Sequence, residues 1–235
     1  MASAPKRAVV LPGDVVDVSK VPPGAEAYVY EHLGVRRASV IGIVDVRQDN
    51  TASFVPLKGF YMPKEGDIVI GLVISHGAAN WFLDINSPYQ GVLSINDFFG
   101  VRQGGQIPDD PFSYLRIGEF VKAKIAVFDR TRGPILTVQE KGLGKIVEGT
   151  VVTVKPVKIP RIIGKKGSML EVLRQGTGCD FFIAANGRIH VVCPNEELQE
   201  IAIMAIEMIE EQSHVSGLTE KVKAFIEEER KVRGV

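Results

Sequence analysis

Histidine and cysteine are scarce in this chain, and their scarcity removes whole classes of chemistry. Four histidines (His32, His76, His190, His214) and two cysteines (Cys179, Cys193) serve 235 residues. The histidines fall in different expected elements, none with a partner at metal-ligand or triad spacing, which argues against a metal centre or a histidine-activated nucleophile. Acids are plentiful, but Glu210-Glu211 and Glu227-Glu228-Glu229 read as solvated helix faces. Neither the acidic metal cluster nor the phosphate-binding arginine pair of a nuclease is visible. The chain is therefore expected to hold no catalytic residue, metal or cofactor. With neither metal spacing nor a secreted context, the two cysteines are expected as buried free thiols. No apolar run approaches a membrane span and Met1 to Arg7 has no signal-peptide core, so a cytoplasmic protein with no membrane contact is expected. Charge of one sign is missing too: 28 basic and 28 acidic side chains leave a formal net charge of +0. A strongly basic body is thereby excluded, and any polyanion must be met by local patches.

What is present is enough apolar material to fold. Hydrophobic residues make up 45% of the chain and mean hydropathy is +0.10, with length for two or three small cores. Gly13-Asp14-Val15-Val16, Gly66-Asp67-Ile68-Val69 and Gly118-Glu119-Phe120-Val121 each set a turn glycine and an acid before an apolar stretch, and read as strand starts. Pro56 to Gly66 and Gly142-Leu143-Gly144 punctuate the chain. They divide it into residues 1–62, 63–146 and 147–235. The overall class is multidomain, β-rich plus α+β.

The most informative stretch runs from Val157 to Leu170. Gly164-Lys165-Lys166-Gly167 lies between Ile162-Ile163 and an amphipathic helix starting at Ser168. Glycine permits close backbone approach, a helix start favours an anion, and two lysines sit at the tip. Around it, Thr150 to Lys158 alternates as a strand, the helix runs to about Gln175, and Gly176-Thr177-Gly178 stops it. Asp180 to Ala184 and Arg188 to Cys193 form a hairpin on a two-residue Asn186-Gly187 turn. Asn195 caps a helix striped with Leu198, Ile201, Ala202, Ala205 and Ile209. A structural glycine turn in an ordinary α+β domain is the plain alternative. The motif with its context resembles a eukaryotic-style KH module, which implies RNA as ligand: Arg161, Gly164, Lys165, Lys166 and Gly167 on the backbone, Ile162 and Ile163 beside the bases. A last amphipathic helix, Leu218 to Arg233 (Leu218, Val222, Phe225, Ile226), packs on this module or on a neighbouring subunit.

Residues 63–146 alternate as five strands: Gly66 to Ile74, Asn80 to Ile85, Gln90 to Ile95, Gly118 to Phe128 and Gly133 to Gln139, with a glycine-rich excursion from Gly100 to Pro111. This pattern resembles the OB-fold barrel of the ribosomal S-one type, whose members hold single strands on aromatic platforms. The resemblance places Trp81 or Phe82 at the aromatic position and Asp129, Arg130 and Arg132 in the polar turn before the last strand. Strand alternation requires one of the two aromatics to point into the barrel and leaves open which. Ser94 stands where the family commonly has histidine.

The first sixty residues read as short strands (Val9-Val10, Ala27 to Tyr30, Arg36 to Val46, Ala52 to Pro56), with a hairpin at His32-Leu33-Gly34. Leu11-Pro12-Gly13-Asp14, then a barrel, then a KH module, resembles the RNA-binding cap subunits of the archaeal exosome. That resemblance implies an amino-terminal domain docked on a ring of RNase-PH-like subunits, three copies per ring, delivering single-stranded RNA for 3′–5′ degradation or tailing. A domain that only supports the barrel is the alternative for residues 1–62. An RNA-binding adaptor of transcription or ribosome machinery is the alternative for the whole. KH folds also contact protein in large assemblies, so the clamp loop could meet either partner.

Overall fold

A computed structural model of the protein describes residues 6–16, 28–46, 52–212 and 217–235. The chain forms two compact units, Met1–Phe60 and Tyr61–Val235. In the first, β1 (Lys6–Val10) is followed by the hairpin β2 (Val29–His32) and β3 (Val35–Ala38), then by β4 (Gly42–Val46) and β5 (Ala52–Pro56). Strands β1, β4 and β5 make an antiparallel sheet in the order β1-β4-β5. The stretch from Arg36 to Val46, expected as one strand, is two, divided by a bend at Ser39-Val40. Ala27 lies outside the described residues. Phe54, Ala38 and Val16 are buried, while Leu33, Val9, Leu11 and Val15 leave apolar surface exposed.

The second unit begins with β6 (Ile68–His76), β7 (Asn80–Asp84) and β8 (Gln90–Ser94), a short helix α1 (Ile95–Phe98), β9 (Phe120–Val127), β10 (Ile135–Thr137) and β11 (Gly144–Lys145). Strands β6, β7, β8, β10 and β9 close on themselves. The β10–β8 pair is parallel and the others are antiparallel. Closure removes the free edges that a five-stranded sheet would otherwise expose. Val69, Val73, Trp81, Leu83, Leu93, Val121, Ala123, Ile125 and Leu136 fill the interior. Ser94 caps α1, accepting from the Asp97 N–H at 3.0 Å. Phe98 and Phe99 before the glycine-rich excursion and Phe112 after it pack against the barrel core, their ring centroids 5.0, 6.4 and 5.5 Å from that of Trp81.

The rest of this unit is β12 (Thr150–Thr153), α2 (Ile159–Ile163), α3 (Ser168–Thr177), β13 (Asp180–Ile183), β14 (Arg188–Val192), α4 (Glu196–Glu211) and α5 (Leu218–Arg233). Its sheet order is β12-β14-β13, and Ile162, Met169, Leu173, Phe181, Ile189, Ile201 and Ile206 form a core separate from the barrel's. Strand β12 stops at Thr153, five residues before the expected Lys158. Pro156 cannot donate to a ladder, and Pro156–Lys158 turns as a 3₁₀ segment instead. Helix α3 runs through Gly176 to Thr177 because α5 packs there: a Cβ on Gly176 would lie 2.9 Å from Ile226 Cγ2. The tail helix thus packs on this module, burying Leu218, Val222 and Ile226.

The hairpin corrects two expectations together. Ala184 N donates to Arg188 O at 2.9 Å and Gly187 has φ 83°, so the loop has three residues, Ala185 to Gly187, ending in a left-handed glycine. The extra residue shifts the register to Asp180↔Val192 and Ile183↔Ile189, which sets Cys179 opposite Cys193. Their Cα atoms lie 4.2 Å apart and the sulfurs are joined; the cysteines are a disulfide, not free thiols. The bond closes a loop of sequence separation 14, a size for which cross-linking the unfolded chain contributes about 3 kcal/mol. Treatment with a strong reductant under native conditions is expected to lower the calorimetric melting temperature of the unit by several degrees, and the Cys179→Ser/Cys193→Ser variant should melt at the reduced value. Identical melting with and without reductant would refute the staple.

Candidate nucleic-acid interface

The clamp loop is built by three residues of left-handed or glycine-only backbone. Helix α2 ends where Gly164 N donates to Pro160 O at 3.0 Å. Gly164 then adopts φ 76°, ψ 173°, and a Cβ there would sit 2.6 Å from Met169 N. Both the conformation and the space demand glycine. Lys166 (φ 55°) and Gly167 (φ 82°) complete the turn, closed by Gly167 N to Gly164 O at 3.2 Å. Gly167 caps α3 with no side chain, so the first N–H groups of a ten-residue helix face the loop. Lys165 and Lys166 are exposed at the tip, and Arg161 is half-buried on α2.

Of the two isoleucines beside the loop, only Ile163 reaches the surface. Ile162 is fully buried and packs in the core with Met169 and Leu173. Its expected place against bases is corrected: the helical turn that presents Ile163 necessarily rotates Ile162 inward. On the edge strand β13, Ile183 packs against the same core as Ile162, while Phe182 is half-buried on the other face of the sheet.

On the barrel the same alternation decides between the aromatics. Trp81 is wholly buried and its indole N–H donates to Leu115 O at 2.9 Å. It is a core residue and no stacking platform. Phe82 points outward, half-buried between Ser75 on β6 and Val92 on β8. Arg130 and Arg132 are exposed in the β9–β10 turn. Asp129 organises that turn: its Oδ1 accepts from Thr131 Oγ1 at 2.7 Å, Thr131 N at 2.9 Å and Arg132 N at 3.1 Å. The hydroxyl and amide donors of Thr131 hold the carboxyl below the usual carboxylate range.

The residues that sequence reasoning missed lie where the barrel meets the KH-like module. Asn186, expected only to shape a turn, is fully buried. Its Nδ2 donates to Ile70 O at 2.8 Å and Ile85 O at 2.9 Å, and its Oδ1 accepts from Ile70 N at 3.3 Å. Asn86 Nδ2 returns a bond to Asn186 O at 2.7 Å, and Ala185 N donates to Ile68 O at 3.0 Å. Arg188, also buried, donates to Ile70 O at 3.0 Å and pairs with Asp84. Lys122 of β9 sets its ammonium 4.6 Å over the Phe182 ring, and burial there pushes its pKa down. Asp84 and Phe82 lie on the same face of β7, two residues apart, so the outward aromatic sits next to this seam.

Two of the described histidines pack against neighbours. His76 stacks on Phe112 with centroids 4.0 Å apart. His190 is buried with Nε2 2.7 Å from Glu148 O, and burial lowers its pKa. His32 is exposed at the end of β2, and His214 lies outside the described residues. Among the described residues no three His, Cys, Asp or Glu side chains gather as a metal site, and no helix is long and apolar enough to cross a membrane.

This geometry agrees with the comparisons to known proteins. Residues 149–197 match the KH domain family model. The chain is 49% identical over 230 residues to the exosome complex component Rrp4 of Aeropyrum pernix, covering 97% of this chain and 96% of that one. It is 45% identical over 237 residues to the protein of the same name from Ignisphaera aggregans, covering 98% and 93%. A crystal structure described as an exosome complex RNA-binding protein superposes with a TM-score of 0.69 at 52% identity, covering 74% of this chain and 99% of that one. With near-complete coverage of both chains at such identity, this chain belongs to the family of the exosome complex component Rrp4.

Proposed function

We propose that the chain is a non-catalytic, cytoplasmic RNA-binding subunit of an exosome. In this reading it caps a ring of RNase-PH-like subunits, three copies to a ring, and guides single-stranded RNA inward for 3′–5′ degradation or tailing. The observation that carries the reading is the exposed Gly164–Gly167 clamp at the start of α3, in one compact unit with an S-one-type barrel. Gly164, Lys165, Lys166 and Gly167 hold the RNA backbone, with Arg161 beside them and Ile163 against a base. Phe82 stacks a further base and Arg130 and Arg132 meet phosphates at the barrel. Residues 1–62 supply the docking domain, which fits their exposed apolar strand and hairpin positions.

Two modest sites on each of three copies raise affinity through effective concentration, which reconciles RNA binding with a neutral chain. Native mass spectrometry of the complex purified with this chain from its own cells tests the assignment. Three copies on a six-membered ring of two RNase-PH-like proteins is the expected mass. Recovery instead with RNA polymerase or ribosomal subunits would overturn it in favour of an adaptor of those machines.

A further inference from the structure

One stretch of this neutral chain carries positive charge with no acid to balance it. Between positions 155 and 170 the sequence holds Lys155, Lys158, Arg161, Lys165 and Lys166 and no acid at all; Glu148 and Glu171 are the nearest acids on either side. Only the last two lysines belong to the clamp loop. Lys155 and Lys158 lie ahead of α2, on the 3₁₀ turn closed by Lys158 N to Lys155 O at 2.8 Å. That turn adjoins the seam with the barrel. Val154 N donates to Gly187 O at 2.7 Å, and the neighbouring Asn186 is bonded to Ile70 and Ile85 of the barrel. The basic segment therefore starts at the barrel and ends at the clamp, along one short helix.

We infer that Lys155 and Lys158 are phosphate contacts that carry a single RNA strand from the Gly164–Gly167 clamp across the seam toward Phe82, so that both modules hold one continuous strand. The inference rests on the RNA-binding reading above. The arrangement favours a flexible polyanion in three ways. Lys155, Lys158 and Arg161 recur every three residues along the turn and α2, and the loop lysines follow directly after the helix ends at Gly164. The seam is fixed by buried hydrogen bonds, so the distance between clamp and Phe82 does not fluctuate and a strand spanning them loses less entropy on binding. Finally, the acid paired with Lys155 is displaceable. Glu210, 18% exposed and accepting from Lys155 N at 3.0 Å, lies 3.4 Å from Lys155 Nζ, but the lysine side chain is 69% exposed, so its ammonium can turn outward at little cost. A phosphate can take its place.

The test uses the full chain, with oligoadenylate single strands of about 4 and about 16 nucleotides, the range of site sizes for one barrel. The variants are Lys155→Gln/Lys158→Gln, Lys165→Gln/Lys166→Gln and Glu210→Gln. For the long strand, the first variant should lose roughly tenfold or more in affinity at 0.1 M salt. The slope of log K against log salt should fall in magnitude by about 1.4, since each single-strand phosphate contact contributes about 0.7. The short strand, held at the clamp, should bind as to wild type. Glu210→Gln should tighten the long strand a few-fold while keeping an acceptor for the Lys155 N–H, and because it moves affinity the other way it cannot be mistaken for misfolding.

If the clamp variant weakens binding and the Lys155/Lys158 variant does not, the strand does not cross the seam, and the inference fails while the RNA reading stands. If neither variant changes binding, the RNA reading of the clamp fails as well. If RNA binding is untouched but association with the RNase-PH-like ring is lost, the segment is a protein contact and the inference is overturned.

Discussion

Replacing Asn186 with alanine is expected to lower the melting temperature of the barrel–KH unit by roughly 10 °C. The carboxamide satisfies Ile70 N, Ile70 O and Ile85 O inside a fully buried site. Ile70 O keeps a second donor in Arg188; among these bonds, Ile70 N and Ile85 O have no other. Each buried group left unpaired costs about 1–3 kcal/mol. Two such groups give about 3–4 kcal/mol, and a unit of this size loses roughly 2–4 °C per kcal/mol. Asn186→Asp keeps the acceptor but places a carboxylate facing two carbonyls, so it should be no more stable than the alanine variant. Arg188→Ala should cost less, because Asp84 is 41% exposed and water takes over its charge. Calorimetry of the three variants checks the ranking. A shift below about 3 °C for Asn186→Ala would mean that the seam relaxes to repair the lost bonds.

One tertiary contact both buries Asn186 and sets the cysteine pairing, and neither is encoded in the local sequence. Asn-Gly signals a two-residue turn by local preference alone, and a turn residue is expected in water. The tertiary contact with the barrel selects a three-residue loop instead. One added residue changes the pairing from Ala185 opposite Arg188 to Ala184 opposite Arg188, bringing Cys179 into register with Cys193. No pattern within the hairpin encodes a partner about a hundred residues earlier in the chain. Local signals fared better where they were decisive. The order of elements around the clamp, the Asn195 cap on α4 with its 2.8 Å bond from Leu198 N, and the strand starts after Gly66 and Gly118 were all legible. Among the described residues after Gly13-Asp14, Val15 forms an isolated bridge to Arg37.

For the two barrel aromatics, the neighbouring residues settle what the pair alone does not. Trp81, Leu83 and Ile85 are apolar at odd positions, whereas Asn80 and Asp84 flank Phe82 at even ones. Period-two alternation already places the odd set in the barrel, and all three are buried. Ile162 and Ile163 are different. On one turn of helix both are apolar, and only packing against Met169 and Leu173 determines which faces the core.

Reversing both clamp lysines, Lys165→Glu/Lys166→Glu, is expected to reduce affinity for single-stranded RNA by at least about 25-fold at 0.1 M salt. Two lost phosphate contacts at about 0.7 each across one decade of salt below 1 M give 1.4 decades, and the added negative charges push further. The salt slope should flatten by about 1.4. Stability should not follow. Both side chains are exposed, and the turn is set by Gly164 and Gly167, with Lys166 at φ 55°, where glutamate and lysine are equally disfavoured. A thermal melt near wild type with collapsed RNA affinity would separate binding from folding.

Phe82→Ala provides the complementary measurement. Loss of one stacked base costs about 1–3 kcal/mol but removes no phosphate contact, so affinity should fall while the salt slope stays the same. The pair of variants therefore assigns each module its kind of contact: charge at the clamp, stacking at the barrel. If the clamp reversal left both affinity and slope intact while Phe82→Ala weakened binding, RNA would enter through the barrel alone. The Gly164–Gly167 loop, with its lysines and open helix start, would then be the face that meets an acidic protein surface.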